Sequence, residues 1–142
     1  MEAVDARDWT IIERLQNNAR TPFTKIAAEL GVTEATIRKR VKALEERKII
    51  SRYTINVDPA KLGYAVVALI GIDTAPERYL DVIKGLAGME EVRSLSASSG
   101  DHMIMVEFWA RNHAELMEFT DTITAMRGVT KVCPAVLLEK LK

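Results

Sequence analysis

Between Ile26 and Leu44 the chain encodes two short helices with almost nothing between them. Ile26, Ala27 and Leu30 make one apolar face at helical spacing, and Ile37, Val41 and Leu44 make the next. Gly31 ends the first helix, because glycine enters the left-handed conformation beyond a helix without steric cost. Thr33 stands where a hydroxyl can cap the second. Two helices joined by so tight a glycine turn match the helix-turn-helix pattern. Upstream, Asp5 followed by Asp8 reads as a capping signal, and Trp9, Ile12, Leu15 and Ala19 read as the stripe of an earlier helix. Thr21-Pro22 reads as an N-cap followed by a proline at the first helical position.

Charge supports a functional reading of the third helix. The whole chain is neutral, but residues 1–62 hold 12 Lys/Arg against 9 Asp/Glu and residues 63–142 hold 8 against 11. That asymmetry points to a polyanion partner for the first half. Away from its apolar stripe the third helix carries Ala35, Lys39, Lys42 and Glu46, flanked by Arg38. A basic face that directly follows the turn is where a recognition helix lies in the major groove. Thr33, Glu34, Ala35, Thr36, Arg38, Lys39, Arg40 and Lys42 are therefore the candidate contacts to double-stranded DNA. A plain three-helix bundle would show the same stripes; the coincidence of turn, cap and charged face favours the DNA-binding motif. Ile49-Ile50, Tyr53, Ile55 and Val57 then alternate with polar residues until Asp58-Pro59. This spacing predicts a wing strand, with Lys48 and Arg52 resting on phosphates.

The second half alternates strand and helix signals. Ala65 to Ile72 reads as a buried strand. Pro76 opens a helix with Tyr79, Val82, Ile83 and Leu86 on one face, and Gly88 stops it. Val92 to Ser98 and Met103 to Trp109 read as strands joined by a Ser-Ser-Gly-Asp turn. Asn112 and Glu115 form a capping box before Leu116, Phe119, Ile123 and Met126, and Val129 to Leu138 is the last strand. The order βαββαβ predicts a ferredoxin-like sheet with helices on one face. Residues 103–109 are apolar on both faces, so the uncovered side of the sheet predicts a homodimer. Loops of the same chain are the alternative cover.

The first half resembles the Lrp/AsnC, or feast/famine, transcriptional regulators. The resemblance runs through Asp5, Asp8, Ile11-Ile12, Leu15-Gln16, Asn18-Ala19-Arg20, Ile26-Ala27 and Leu30-Gly31-Val32-Thr33. It continues through Ile37, Arg40-Val41, Leu44-Glu45, Ile49-Ile50, Tyr53, Asp58-Pro59 and Leu62-Gly63. Lys48 departs from it, since the family usually has Gly there. In the second half Gly100-Asp101 and Gly128-Val129 carry the likeness. The resemblance implies an α+β chain in three parts. Residues 1–50 would be a helix-turn-helix domain, 51–63 a wing strand and linker, and 64–142 a dimerisation domain of the RAM type. It also implies assembly of dimers into tetramers or octamers, and an amino-acid effector site at the Gly-Asp loop. Ser99, Gly100, Asp101 and His102, with Val132 and Pro134 opposite, are the candidate effector residues. The family often reads Gly-Asp-aromatic-Asp; this chain reads Gly-Asp-His-Met, and Val132 and Pro134 replace the family's two threonines. An effector for such a loop is expected to be apolar, or absent.

Other functions find little support. Cys133 is the one cysteine, which excludes an internal disulfide and a cysteine-rich zinc site. His102 and His113 lack metal-ligand spacing, and no nucleotide loop, catalytic triad or carboxylate pair stands out, so neither an enzyme nor a cofactor is expected. The acidic start MEAVDARDW is no signal peptide, and no apolar run can span a bilayer, which predicts a cytoplasmic protein without a membrane partner. Two further classes stay open at this point. One is an architectural chromatin protein that wraps DNA broadly. The other is a metabolic sensor whose basic helix is incidental.

Overall fold

Apolar spacing divides the chain into two cores that share no buried residue. The computed structural model describes residues 3–142, so Met1 and Glu2, which head the acidic N-terminus, lie outside the described residues. Contacts partition the chain into one unit through Asn56 and another from Val57 to the end. Part of the anticipated linker, 51–56, therefore goes with the first unit.

The first unit holds three helices, α1 (Ala6–Asn17), α2 (Phe23–Leu30) and α3 (Glu34–Glu46). They close on Ile11, Leu15, Ile26, Ala27, Ile37, Val41 and Leu44. The α1 stripe is turned relative to the sequence reading. Ile11 is fully buried while Trp9 is 62% exposed, and Ala19 lies beyond the helix. Asp8 takes an inward position instead, where it pairs with Arg40. Asp5 caps α1 by accepting from the Asp8 N–H at 2.8 Å. Thr21 does not cap α2. Pro22 holds the N-cap position, and the Thr21 hydroxyl donates backward to the Asn18 carbonyl at 2.7 Å. Gly31 leaves α2 at φ +65°, and Thr33 caps α3 by accepting from the Thr36 N–H at 3.2 Å.

The end of α3 is unusual. Lys48 is the one non-glycine residue at positive φ among the described residues, at +59°. There it lets the Ile49 N–H reach back to the Leu44 carbonyl at 2.9 Å. This is the left-handed helix exit that glycine ordinarily serves. Beyond it the chain is irregular from Ser51 to Val57, and the anticipated wing strand does not form. Alternating side chains set only which way a strand faces. A strand also needs a ladder, and none of the N–H groups of Ser51 to Val57 has a backbone partner among the described residues.

The second unit is a four-stranded antiparallel sheet in the order β2-β3-β1-β4. The strands are β1 (Val66–Thr74), β2 (Val92–Ala97), β3 (Ile104–Ala110) and β4 (Val129–Val136). Helices α4 (Tyr79–Ala87) and α5 (His113–Thr124) supply the crossovers. This is the ferredoxin-like α+β arrangement expected from the element order. Both helices cover one face, where Ala68, Ile70, Ile72, Ile104, Val106 and Phe108 meet Val82, Leu86, Leu116, Phe119 and Ile123. Phe108 and Phe119 stack with ring centroids 3.9 Å apart. The opposite face carries Val67, Leu69, Met105 and Trp109, all half-buried, with no helix over them. No helix among the described residues is long and apolar enough to cross a membrane.

Candidate nucleic-acid interface and effector loop

Burial of Ile37, Val41 and Leu44 turns the rest of α3 outward. Ala35, Arg38, Lys39 and Lys42 are exposed on it. Lys39 has no hydrogen bond or ion pair among the described residues. Lys42 lies 3.9 Å from Glu46, a loose exposed pair worth little against a competing phosphate. Arg38 pairs with Glu34 one turn back, and its guanidinium also sits 5.7 Å from the Phe23 ring centroid. Thr33 and Thr36 share a hydroxyl contact of 2.9 Å at the N-terminus of the helix. Lys48 and Arg52 are exposed beyond its other end, and no paired wing carries them. Tyr53 donates to a Glu45 carboxylate oxygen at 2.6 Å and so ties the irregular segment back to α3. Partial loss of solvent, then that carboxylate, push the phenol up to about 12.

Arg40 is engaged otherwise. Its Nη1 lies 2.8 Å from both an Asp5 and an Asp8 carboxylate oxygen, and its side chain is 27% exposed. It thus links α3 to the cap and first turn of α1, where it neutralises the inward-facing Asp8. These bonds, to Asp8 first and then Asp5, hold the guanidinium pKa above its ordinary value. Of the basic residues anticipated on this helix, Arg40 belongs to the scaffold, while Arg38, Lys39 and Lys42 share the outer face.

The anticipated effector loop is the turn between β2 and β3. The Ser98 N–H donates to the Met103 carbonyl at 2.9 Å and closes it. Ser99, Gly100 and Asp101 are exposed at its tip. His102 folds back over the open sheet face, with Nδ1 3.1 Å from Asp73 Oδ2. The other oxygen of Asp73 accepts from the Met103 N–H at 3.1 Å. The His102 ring fills the space above Gly71: a Cβ on that glycine would stand 2.1 Å from the ring Cδ2. His102, ahead of the Met103 N–H, holds the Asp73 carboxyl below its ordinary value.

The remaining anticipated residues are placed elsewhere. Met103 packs against the helix-covered core and touches the Thr74 hydroxyl through its sulfur. Val132 pairs with Ile72 and packs on the same core, and Pro134 pairs with Ile70 on that side of the sheet. Within one chain Val132 and Pro134 therefore do not face His102; Cys133, opposite Gly71, and Lys131, opposite Asp73, do. The sequence reading missed Asp73. Its signal was an acid two places after a glycine, on one face of an otherwise apolar strand.

Comparison with known proteins agrees with this division of labour. Residues 4–45 match the AsnC-type helix-turn-helix domain, and residues 67–142 match the Lrp/AsnC ligand binding domain. The chain is 53% identical over 140 residues to the HTH-type transcriptional regulator LrpA of Pyrococcus horikoshii, covering 98% of this chain and 99% of that one. It superposes on E. coli AsnC with a TM-score of 0.89 at 26% identity, covering 99% of this chain and 96% of the other. A feast or famine regulatory protein from M. tuberculosis, solved in complex with L-methionine, has the same fold, with a TM-score of 0.90 at 20% identity and coverage of 99% and 95%. Two domain matches in chain order and a relative of this identity over 98% of the chain make the assignment: the chain belongs to the Lrp/AsnC family of DNA-binding transcriptional regulators.

Proposed function

We propose that this regulator reads specific DNA sites through the outer face of α3 as a homodimer, and that an amino acid bound near the loop at Ser99 to His102 adjusts its activity. One observation supports the first part most: the Lys39 side chain projects from the exposed face, just past the capped N-terminus of α3, with no partner among the described residues. A lysine so placed is free for a guanine edge or a phosphate, and Ala35 beside it is small enough to approach a thymine methyl. Arg38 and Lys42 extend the charged face to the backbone, while Thr33, Glu34 and Thr36 set the helix entry. Lys48 and Arg52 are placed to add phosphate contacts.

The dimer reading rests on the open sheet face. Val67, Leu69, Met105 and Trp109 form an apolar surface that no helix covers, and a second copy provides a matching one. Two-fold pairing brings two recognition helices to half-sites one or more helical turns apart. Higher assemblies, tetramers or octamers, would add further pairs. The effector reading rests on the loop beside Asp73 and on L-methionine in the M. tuberculosis relative. As a DNA-bound regulator it acts in the cytoplasm.

Footprinting of the promoter upstream of its own gene tests this. A protected two-fold site that fades with Lys39→Ala or Arg38→Ala, each by about 1–3 kcal/mol, is expected. Affinity should fall steeply as salt rises, through counterion release. Uniform coverage without a preferred site would support an architectural chromatin role instead, and binding unchanged by both substitutions would move the interface off α3.

A further inference from the structure

The loop at the β2–β3 turn lacks an acid at Met103, yet a carboxylate stands at that point. It comes from Asp73 on β1, whose two oxygens divide between the Met103 N–H and His102 Nδ1, each at 3.1 Å. Gly71 makes this possible: any side chain there would collide with the imidazole. Gly71, Asp73 and His102 therefore work together, and the ring lies on the sheet face opposite the helices. A carboxylate accepts and cannot donate, so its partner nitrogen carries the proton. In the neutral imidazole Nε2 is then an acceptor. Nε2 has no hydrogen-bond partner among the described residues, and it is not among buried atoms lacking one. It is open to a donor from outside the chain. Asp101, the acid within the loop, is exposed at the turn and makes no hydrogen bond or ion pair among the described residues.

We propose that Asp73 is the positioning carboxylate of the effector loop: it fixes His102 with Nδ1 as donor, so that Nε2 is presented as an acceptor to an N–H group of the ligand, such as the protonated amine of a free amino acid. The proposal rests on the effector reading above and adds to it the atom that meets the amine and the residue that sets its proton. Behind Nε2 stands the Asp73 charge, which makes the imidazole a stronger acceptor, as it does for metal-bound histidines held by a carboxylate. Lys131 and Cys133, on the adjacent strand, stand opposite Asp73 and Gly71 on this same face.

The first measurement needs no ligand. In full-length protein labelled with 15N-histidine, the ring nitrogen shifts of His102 at neutral pH should show Nδ1 protonated. Asp73→Asn should reverse this. Its carboxamide oxygen is claimed by the Met103 N–H, so its N–H group faces Nδ1 and drives the proton to Nε2. A histidine already protonated on Nε2, or a tautomer indifferent to the substitution, overturns the proposal. The second measurement is calorimetric titration with each of the twenty amino acids, L-methionine included. An amino acid that binds wild type should bind Asp73→Asn at least tenfold more weakly, with a similar loss in Gly71→Ala, where the new methyl displaces the ring. Affinity within twofold of wild type in Asp73→Asn, or a loss confined to Asp101→Asn, overturns it as well. If wild type takes up none of the twenty, the effector reading fails by itself, and the tautomer alone decides what Asp73 does.

Discussion

Arg40 stands 2.8 Å from Asp8, and the two charges, 32 residues apart in sequence, hold the start of α1 to the middle of α3. The contact accounts for two departures at once. An aspartate can face inward on α1, and a cation in the middle of α3 is engaged within its own unit.

Arg40→Ala should therefore act on stability before it acts on recognition. It leaves the nearly buried Asp8 carboxylate without its cation, at a cost of about 1–3 kcal/mol, less than for a fully buried pair because Arg40 keeps some solvent. Urea unfolding followed by circular dichroism would show a lower midpoint. Once corrected for the folded fraction, DNA affinity should stay close to wild type, unlike that of Lys39→Ala. A folded variant with lost affinity would return Arg40 to the interface.

The same corner predicts an acid sensitivity. The Asp8 N–H first, and Arg40 next, hold the Asp5 carboxyl below the usual carboxylate range. A group depressed in the folded state contributes stability above its unfolded value, about 3.9, and that contribution fades as the pH falls through the lower folded value. Asp5→Ser keeps a capping oxygen but has no carboxyl to protonate. The stability gap between wild type and this variant should close between about pH 5 and about pH 2. A gap constant over that window would show that the Asp5 charge contributes nothing.

Lys48→Gly should stabilise the first unit by about 1 kcal/mol, because a residue with a Cβ is strained in the left-handed region. Lys48→Ala, which removes the charge but keeps the Cβ, should give no such gain. Thermal melts of the two variants separate backbone strain from charge. Equal effects would place the cause in the side chain.

The second unit should assemble without the first. A fragment from Val57 onward, the boundary that contacts define, should sediment above monomer mass at micromolar concentration. Trp109→Lys, on the open face of β3, should return it to monomer with its secondary structure intact. A monomeric wild-type fragment would refute the sheet-face dimer.

How far the sequence disclosed all this follows from the range of each interaction. Ile37, Val41 and Leu44 declared their face because helical period is local, and the βαββαβ order was legible from runs of apolar residues between glycines. The Arg40–Asp8 bond was not, since nothing in either neighbourhood marks two complementary charges on separate helices. Trp9 was misplaced for the same reason: a helix with an inward aspartate has its apolar stripe displaced by one position. Ile55 and its neighbours kept strand alternation with no ladder to join. Asp73 hid in an apolar strand, because its meaning depends on a turn 29 residues away.

The irregular stretch from Ser51 to Val57 has one more consequence. Seven consecutive amides with no backbone partner among the described residues should exchange their hydrogens almost as fast as those of a loose peptide. Any second chain that lays a strand along them would bond every second amide and slow those together. Deuterium uptake in this one peptide is thus a natural gauge of assembly, readable in the unmodified protein with and without DNA or amino acid, and it needs no introduced label.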